Sequence, residues 1–173
     1  MPDATAPSLP AVQLTELQGR GIVGLIIDLD NTLTPWNAPD LPASSQSWLA
    51  EAREMGFRLC LLSNNRAERL NRIVAQFGFA GGVANARKPF PAAFHQACAL
   101  LGCRPLETAV IGDQLWTDVL GGNLIGAYTV LLRPLEEREF WGTRLMRLIE
   151  RPWRQRAERT STARLTHDGQ DPA

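Results

Sequence analysis

Two aspartates separated by one residue follow an apolar run in the segment IVGLIIDLDNTL, residues 22–33. Because alternate residues of an extended chain point to the same side, the carboxylates of Asp28 and Asp30 can face one pocket. A divalent cation can relieve the repulsion within such a pair, and a carboxylate beside a cation can attack an electrophile such as phosphorus. Asn31 and Thr32 add small hydrogen-bonding side chains. The alternative is a strand end at which these polar residues only form a turn.

Apolar runs and helical periods alternate along the chain. The clearest helical period belongs to four apolar residues in RAERLNRIVAQFG, namely Leu70, Ile73, Val74 and Phe77. Strands are predicted at the apolar segments 22–27, 57–62, around Val83, 107–111 and 128–132. Strands that alternate with helices indicate an α/β fold, in which a parallel sheet of about five strands carries helices on both faces.

Polar side chains lie just after four of these strands or candidate strands. The carboxyl ends of parallel strands lie at one edge of the sheet, and ligands bind there. The four residues delivered to this edge are Asp28, Ser63, Lys88 and Asp113. Lys88 is conspicuous because the other 17 of the 18 basic residues are arginines, and a compact ammonium differs from a planar guanidinium. This convergence favours a functional site over a simple turn.

At these four places the chain resembles the haloacid dehalogenase superfamily of phosphohydrolases. The corresponding motifs are Asp28-Leu29-Asp30-Asn31-Thr32, Ser63-Asn64-Asn65, Lys88-Pro89 and Gly112-Asp113-xxxx-Asp118. The resemblance covers about residues 22–134, and it implies a Rossmann-like core of that superfamily. The run GDQLWTDVLGGNLIGAYTVLL is similar to the subclass IIIA phosphatases called YqeG-type, which are related to phosphatidylglycerophosphate phosphatases.

The resemblance implies roles for individual residues. Asp28 is implied to be the nucleophile that forms an aspartyl-phosphate, and Asp30 the general acid and base. The residues implied to bind the substrate phosphate are Thr32, Ser63, Asn64 and Lys88. Phosphoryl transfer depends on positioning and charge neutralisation, which a metal ion, an ammonium and hydrogen-bond donors supply.

The implied cofactor is Mg²⁺. The residues implied to bind it are Asp28, Asp30, Asp113 and Asp118, with Asp30 contributing its backbone carbonyl and Asp118 supporting the site. An alternative for Asp118 is a helix N-terminal acid that the helix dipole favours. The two interpretations of Asp118 are compatible.

The intervals between the motifs leave no room for a large cap domain. Ser63 follows Leu33 by 30 residues, and Lys88 follows Ser63 by 25. One loop, one helix and one strand fill the first interval, and one helix and one strand fill the second. By resemblance, we expect a capless enzyme with an open site that suits a bulky phosphate ester or is enclosed by a partner subunit. Homo-oligomerisation therefore stays open.

Composition narrows the class of protein. The 173 residues fit one domain of ordinary size. Basic and acidic residues number 18 each, which argues against a nucleic-acid partner. Three cysteines without close pairs indicate buried thiols in a reducing cytoplasm. Residues 1–10 have neither the basic start nor the apolar core of a secretory signal, so we expect a cytoplasmic protein.

The two ends of the chain differ from the middle. We expect a flexible segment at 1–20, a phosphatase core at 21–135, a basic amphipathic helix at 136–159 and a disordered tail at 160–173. Residues 144–164 contain seven arginines and two glutamates, and Trp141 and Trp153 are among the apolar residues near them in the sequence. This pattern is typical of helices that lie on anionic membranes, so peripheral contact with the inner membrane face through 141–159 is one interpretation. The favoured interpretation is a terminal helix that packs its apolar stripe on the core and exposes its basic face.

These features predict a Mg²⁺-dependent phosphatase that hydrolyses a phosphate monoester through an aspartyl-phosphate. Phosphatidylglycerophosphate is the leading substrate, by resemblance. Two alternatives stay open. The first is a phosphatase of a soluble sugar or nucleotide monophosphate, and the second is an inactive interaction module that recruits a partner.

Overall fold

Six parallel strands form one sheet in the computed structural model, which describes residues 1–36, 38 and 40–133. The strands are β1 Ala4–Ala6, β2 Gly24–Ile27, β3 Arg58–Leu62, β4 Gly81–Val83, β5 Thr108–Gly112 and β6 Tyr128–Leu132. Their order across the sheet is β1-β6-β5-β2-β3-β4. Each neighbouring pair is parallel, so all six carboxyl ends lie at one edge.

Five α-helices connect these strands. They are α1 Leu14–Gly19, α2 Ala43–Glu54, α3 Ala67–Phe77, α4 Pro91–Leu101 and α5 Leu120–Ile125. Short 3-10 turns occupy Leu9–Ala11 and Pro105–Glu107, and a single π-helical turn occupies Leu115–Val119. Helix α3 ends where Gly78 adopts the left-handed conformation with φ 64°, which glycine reaches without a steric cost.

Helices cover both faces of the sheet. Successive strand residues point to opposite sides, so an apolar strand presents apolar side chains to both faces. In β2, Leu25 and Ile27 belong to a core shared with α1, α2 and α3, to which Leu70 contributes. Ile26, between them, belongs to a second core shared with Phe94 of α4. The predicted α/β architecture with helices on both faces is therefore confirmed, with six strands rather than about five.

The additional strand lies in the N-terminal segment, where the sequence predicted flexibility over 1–20. In the structure, β1 pairs with β6, and Leu9, Leu14 and Leu17 are buried in the core. The indole N–H of Trp48 donates to the carbonyl of Val12 at 3.0 Å. A three-residue edge strand, Ala-Thr-Ala, is held by backbone pairing and carries no apolar run, so its sequence gives no strand signal.

The sheet order places a crevice between β2 and β5. The chain proceeds from β2 to β3 and β4 on one side, then returns to β5 and β6 on the other side. Ligands of open α/β sheets bind at such a reversal of strand order. The connection from β2 to β3 contains helix α2, and that from β3 to β4 contains helix α3, so neither carries a cap domain among its described residues.

The predicted basic helix at 136–159 and the predicted tail at 160–173 lie outside the described residues. Within residues 1–36, 38 and 40–133, no helix combines the length and the hydropathy that crossing a bilayer requires.

Candidate active site

Asp28 and Asp30 stand where β2 ends. The N–H of Asp28 donates to the carbonyl of Ile111 at 2.9 Å, which extends the pairing of β2 with β5 by one residue. Asn31 then adopts a positive φ of 62°, and its N–H donates to the carbonyl of Thr34 at 2.8 Å. Asparagine is among the few non-glycine residues that tolerate this conformation. The turn leaves both aspartates buried, each 6% exposed.

The ammonium of Lys88 lies between two of the acidic groups. Its Nζ donates to Asp28 Oδ1 at 2.5 Å, to Asp118 Oδ1 at 2.6 Å and to the carbonyl of Leu62 at 3.2 Å. These three partners use all three N–H groups of the ammonium. The lysine side chain is 3% exposed, so the pair is shielded from water.

The π-helical turn returns Asp118 to the end of β5. The N–H of Gln114 donates to Asp118 Oδ2 at 3.2 Å, which fixes the carboxylate beside Gly112. A Cβ at Gly112 would overlap this carboxylate, so the close approach requires glycine. π-helical turns of this kind are frequent at functional sites.

The other predicted site residues lie at neighbouring strand ends. Thr32 is 1% exposed, and its hydroxyl lies 3.5 Å from Asp113 Oδ1. The buried hydroxyl of Ser63 accepts a hydrogen bond at 3.1 Å from the backbone N–H two residues further on. The side-chain oxygen of Asn64 accepts the backbone N–H of Lys88 at 2.8 Å. Asn64 therefore positions the loop that carries the lysine.

Three carboxylates lie close enough to share a cation. One oxygen from each of Asp28, Asp113 and Asp118 lies within 4.8 Å of the others. Asp28 Oδ2 is buried and has no hydrogen-bond partner, whereas both oxygens of Asp118 already accept hydrogen bonds. Carboxylate oxygens are the ligands that hard divalent cations prefer. The residues present therefore fit a divalent metal ion, with Asp28 and Asp113 better placed to bind it than Asp118.

Burial and mutual repulsion perturb the acidic groups. Burial raises the pKa of Asp28 to about 8, with Lys88 opposing the rise and Asp118 and Asp113 adding to it. Burial, followed by repulsion from Asp118, raises the pKa of Asp113 to about 6. Burial disfavours the ammonium of Lys88, but the Asp118 and Asp28 carboxylates outweigh it and raise its pKa above the ordinary value. A cation at this cluster would favour the ionised carboxylates.

Asp30 has separate partners. Its Oδ2 accepts a hydrogen bond of 2.5 Å from the Asn65 side chain, and its Oδ1 forms an ion pair with Arg69 Nη1. Arg69 Nη2 also donates to the carbonyls of Ala38 at 3.0 Å and Pro35 at 3.4 Å. The guanidinium thus ties helix α3 both to Asp30 and to the loop that follows it. The predicted metal contact of the Asp30 backbone carbonyl stays a prediction.

Asn65 and Arg69 are site residues that the sequence did not predict. Asn65 belongs to the polar cluster after β3, and that position was the available signal. Arg69 is one of 17 arginines, and its spacing places it off the apolar stripe of α3, as for any solvated residue. Its contact with Asp30 depends on how the helix packs, which the local sequence does not determine.

Comparisons with known proteins identify the family of the chain. Residues 37–126 match the model of the haloacid dehalogenase-like hydrolases. The chain is 34% identical over 151 residues to the probable phosphatase YqeG of Bacillus subtilis, covering 87% of each chain. It is 30% identical over 168 residues to the chloroplastic phosphatidylglycerophosphate phosphatase 1 of Chlamydomonas reinhardtii, covering 88% of this chain and 60% of the algal protein.

A solved structure shares the fold. It is a HAD-family enzyme from Bacteroides thetaiotaomicron, determined as an Asp-to-Ala variant in complex with magnesium and inorganic phosphate. The similarity has a TM-score of 0.56 at 16% identity and covers 68% of this chain and 97% of the other. The family model and the Bacillus relative confirm the resemblance inferred from the four motifs. The chain therefore belongs to the haloacid dehalogenase-like hydrolases, and it is a phosphatase of that family.

Proposed function

We propose that this phosphatase hydrolyses a phosphate monoester by nucleophilic attack of Asp28, with Mg²⁺ as the cofactor. The observation that carries the proposal is Asp28 Oδ2, a buried carboxylate oxygen without a hydrogen-bond partner. The other oxygen is held by Lys88 at 2.5 Å, so the ammonium orients the carboxylate and leaves one oxygen available to a phosphorus atom. A buried carboxylate with an unused oxygen is costly unless a cation or substrate engages it.

In the first step, Asp28 Oδ2 forms a bond to phosphorus as the bond to the leaving oxygen breaks. Asp30 gives its proton to that oxygen, so the products are an aspartyl-phosphate and a neutral alcohol. The Asp30 carboxylate that results is stabilised by hydrogen bonds from Asn65 and Arg69. These partners also fix the position of the Asp30 carboxyl group.

In the second step, a water molecule attacks the phosphorus of the aspartyl-phosphate while Asp30 accepts a proton from the water. The bond between phosphorus and Asp28 breaks, which releases inorganic phosphate and restores the carboxylate. The charge of Lys88 is proposed to neutralise the phosphoryl group, and the hydroxyls of Thr32 and Ser63 are proposed to orient its oxygens. Asp113 and the Asp28 carboxylate, through the oxygen that does not attack phosphorus, would hold Mg²⁺, which would supply positive charge to the phosphoryl group and favour the ionised form of Asp28.

The proposed substrate is phosphatidylglycerophosphate. The similarity to the algal phosphatidylglycerophosphate phosphatase supports this choice. The basic segment within 144–164 adds support, because it would attract an anionic membrane surface through 141–159. A soluble sugar or nucleotide monophosphate is the alternative substrate class. Membership of an enzyme family disfavours the third alternative, an inactive interaction module.

The chemistry is tested by an Asp28→Asn variant assayed for release of inorganic phosphate. Loss of the nucleophile should lower turnover of an aryl phosphate by at least about 10³-fold. Chelation should abolish wild-type activity, and added Mg²⁺ should restore it. An unchanged circular dichroism spectrum would show that the variant is folded. Turnover by Asp28→Asn equal to that of the wild type would refute the mechanism.

The substrate is tested separately. Wild-type enzyme is assayed on phosphatidylglycerophosphate in vesicles and on a panel of sugar and nucleotide monophosphates. The truncation that removes residues 140–173 is compared in vesicle flotation with anionic and neutral lipids. We expect preference for the lipid, and flotation with anionic vesicles that the truncation abolishes. Equal flotation of both chains, or preference for a soluble ester, would contradict the lipid proposal.

A further inference from the structure

An open cleft of about 420 Å³ lies beside Asp30. The arginines that line it are Arg66, Arg69 and Arg72. Arg66 is the N-cap of α3, and Arg69 and Arg72 lie in its first two turns, so all three are at the start of this helix. Trp36, from the loop after β2, also lines the cleft. The cleft is therefore bounded by the proposed acid on one side and by a basic helix surface on the other.

The three arginines are not equivalent. Arg69 is committed to its ion pair with Asp30. Arg66 and Arg72 are exposed, and neither forms an ion pair with any of the residues that the structure describes. Glu68 also lines the cleft. Apart from the pair of Arg69 with Asp30, the cleft is therefore lined by two guanidinium groups and one carboxylate. A planar guanidinium binds phosphate-type anions through two parallel hydrogen bonds.

The position of the cleft relates it to the leaving group. In the proposed mechanism, Asp30 protonates the oxygen that joins the phosphoryl group to the rest of the substrate. The rest of the substrate must therefore extend past Asp30, away from Asp28. Because Arg66 and Arg72 line the cleft that adjoins Asp30, they lie where a leaving group can reach them.

We propose that Arg66 and Arg72 bind a second phosphate-type anion carried by the leaving group. The enzyme would thus select esters that bear an additional phosphodiester or phosphate near the hydrolysed monoester. This inference rests on the proposed function, because it uses Asp30 as the acid that faces the leaving group. The anion has two chemical sources, which are the phosphodiester of a lipid headgroup and the second phosphate of a soluble bisphosphate.

Matched substrate pairs test the proposal. Glycerophosphoglycerol phosphate carries the phosphodiester that glycerol 3-phosphate lacks, and fructose 1,6-bisphosphate carries a phosphate that fructose 6-phosphate lacks. For at least one pair, wild-type kcat/KM should be about tenfold or more higher for the ester with the second anion. Preference in the first pair identifies the headgroup phosphodiester, and preference in the second identifies the soluble bisphosphate. Either preference supports the recognition of a second anion by the enzyme.

The variants are Arg66→Gln, Arg72→Gln and the double variant. The preference for the second anion should fall about tenfold in the double variant, and it should weaken as salt concentration rises in the wild type. Arg104→Gln is the matched control, because Arg104 is exposed, precedes β5 at the opposite edge of the sheet and pairs with Glu107. This control should keep the wild-type preference. Thermal melting would verify that each variant is folded.

Two results would overturn the inference on its own. Hydrolysis of both members of each pair with equal kcat/KM would show that the second anion is not recognised. A preference that persists in the double variant would show that these arginines do not recognise it. Absence of phosphate release from every ester would instead overturn the proposed function, and this inference with it.

Discussion

Replacing Lys88 by methionine would remove the ammonium that separates the buried carboxylates of Asp28 and Asp118. The Lys88 side chain is 3% exposed, and the two carboxylates are 7% and 2% exposed. Removal of one partner from a buried ion pair leaves an uncompensated charge and costs about 3–5 kcal/mol. We therefore expect Lys88→Met to lower the free energy of unfolding by about that amount at pH 8. Turnover should also be lost, because the proposed nucleophile would lack its orienting donor.

The loss should depend on pH. Burial raises the pKa of Asp28 and Asp113 to about 8 and about 6, and removal of the ammonium would raise both further. A carboxyl whose pKa is raised by folding stabilises the folded state at low pH, and this contribution is lost as pH rises through the folded pKa. At pH 5 the variant can hold protons on these groups, so its deficit should be smaller than at pH 8. Because its pKa is raised, Lys88 stays charged up to alkaline pH, so the wild type keeps the stabilisation from the Lys88 ion pairs over this range.

Urea unfolding at pH 5 and pH 8, in metal-free buffer, would measure both effects. The control is Arg104→Gln, which removes an exposed ion pair and should leave the unfolding free energy close to that of the wild type at either pH. A Lys88→Met variant as stable as the wild type at pH 8 would refute the buried-pair argument. A larger deficit at pH 5 than at pH 8 would refute the assignment of the effect to unpaired carboxylates.

Two further substitutions probe the supports of the site. Arg69→Gln should cost about 2 kcal/mol of stability and lower kcat by about tenfold, since Asp30 would lose its ion pair. Denaturant melts would measure the stability, and steady-state kinetics would measure kcat. A kcat within twofold of the wild type would count against the positioning role. Gly112→Ala should displace the Asp118 carboxylate and reduce turnover by about 10²-fold, because the new Cβ would overlap it. Gly19→Ala, where the added Cβ meets open space, should retain activity, and equal activity of both alanine variants would contradict the steric argument.

Much of the site could be predicted from how the strands end. An apolar run that stops at a polar residue marks a strand that leaves the core at the sheet edge, and parallel pairing brings such ends together. Asp28, Ser63 and Asp113 meet this condition, and each is buried directly after the end of its strand. Lys88 was also informative because it is the only lysine in a chain of 17 arginines. An arginine at this position would replace the compact ammonium by a planar guanidinium.

Other parts of the site depend on packing that no short segment encodes. The contact of Arg69 with Asp30 spans 39 positions and requires α3 to lie against the loop after β2. Asp118 reaches Lys88 because a π-helical turn replaces the first turn of the helix that follows β5. In the sequence alone, Asp118 cannot be distinguished from an ordinary acidic residue near a helix N-terminus. Strand β1 is short and rich in alanine, so its pairing with β6 could not be predicted from hydropathy.

The two aspartates of the DLD motif illustrate what local pattern leaves undecided. Alternation predicts that both carboxylates face one pocket, but it assigns them no partners. In the structure, Asp28 pairs with Lys88 and has one unused oxygen, whereas both oxygens of Asp30 are held by Asn65 and Arg69. A carboxylate with an unused oxygen suits attack on phosphorus, whereas the two donors on Asp30 hold its carboxylate in a fixed position. In the proposed mechanism, these different partners give the two identical side chains different roles, and the substrate would lie with its phosphoryl group toward Lys88 and its leaving group toward the arginine-lined cleft.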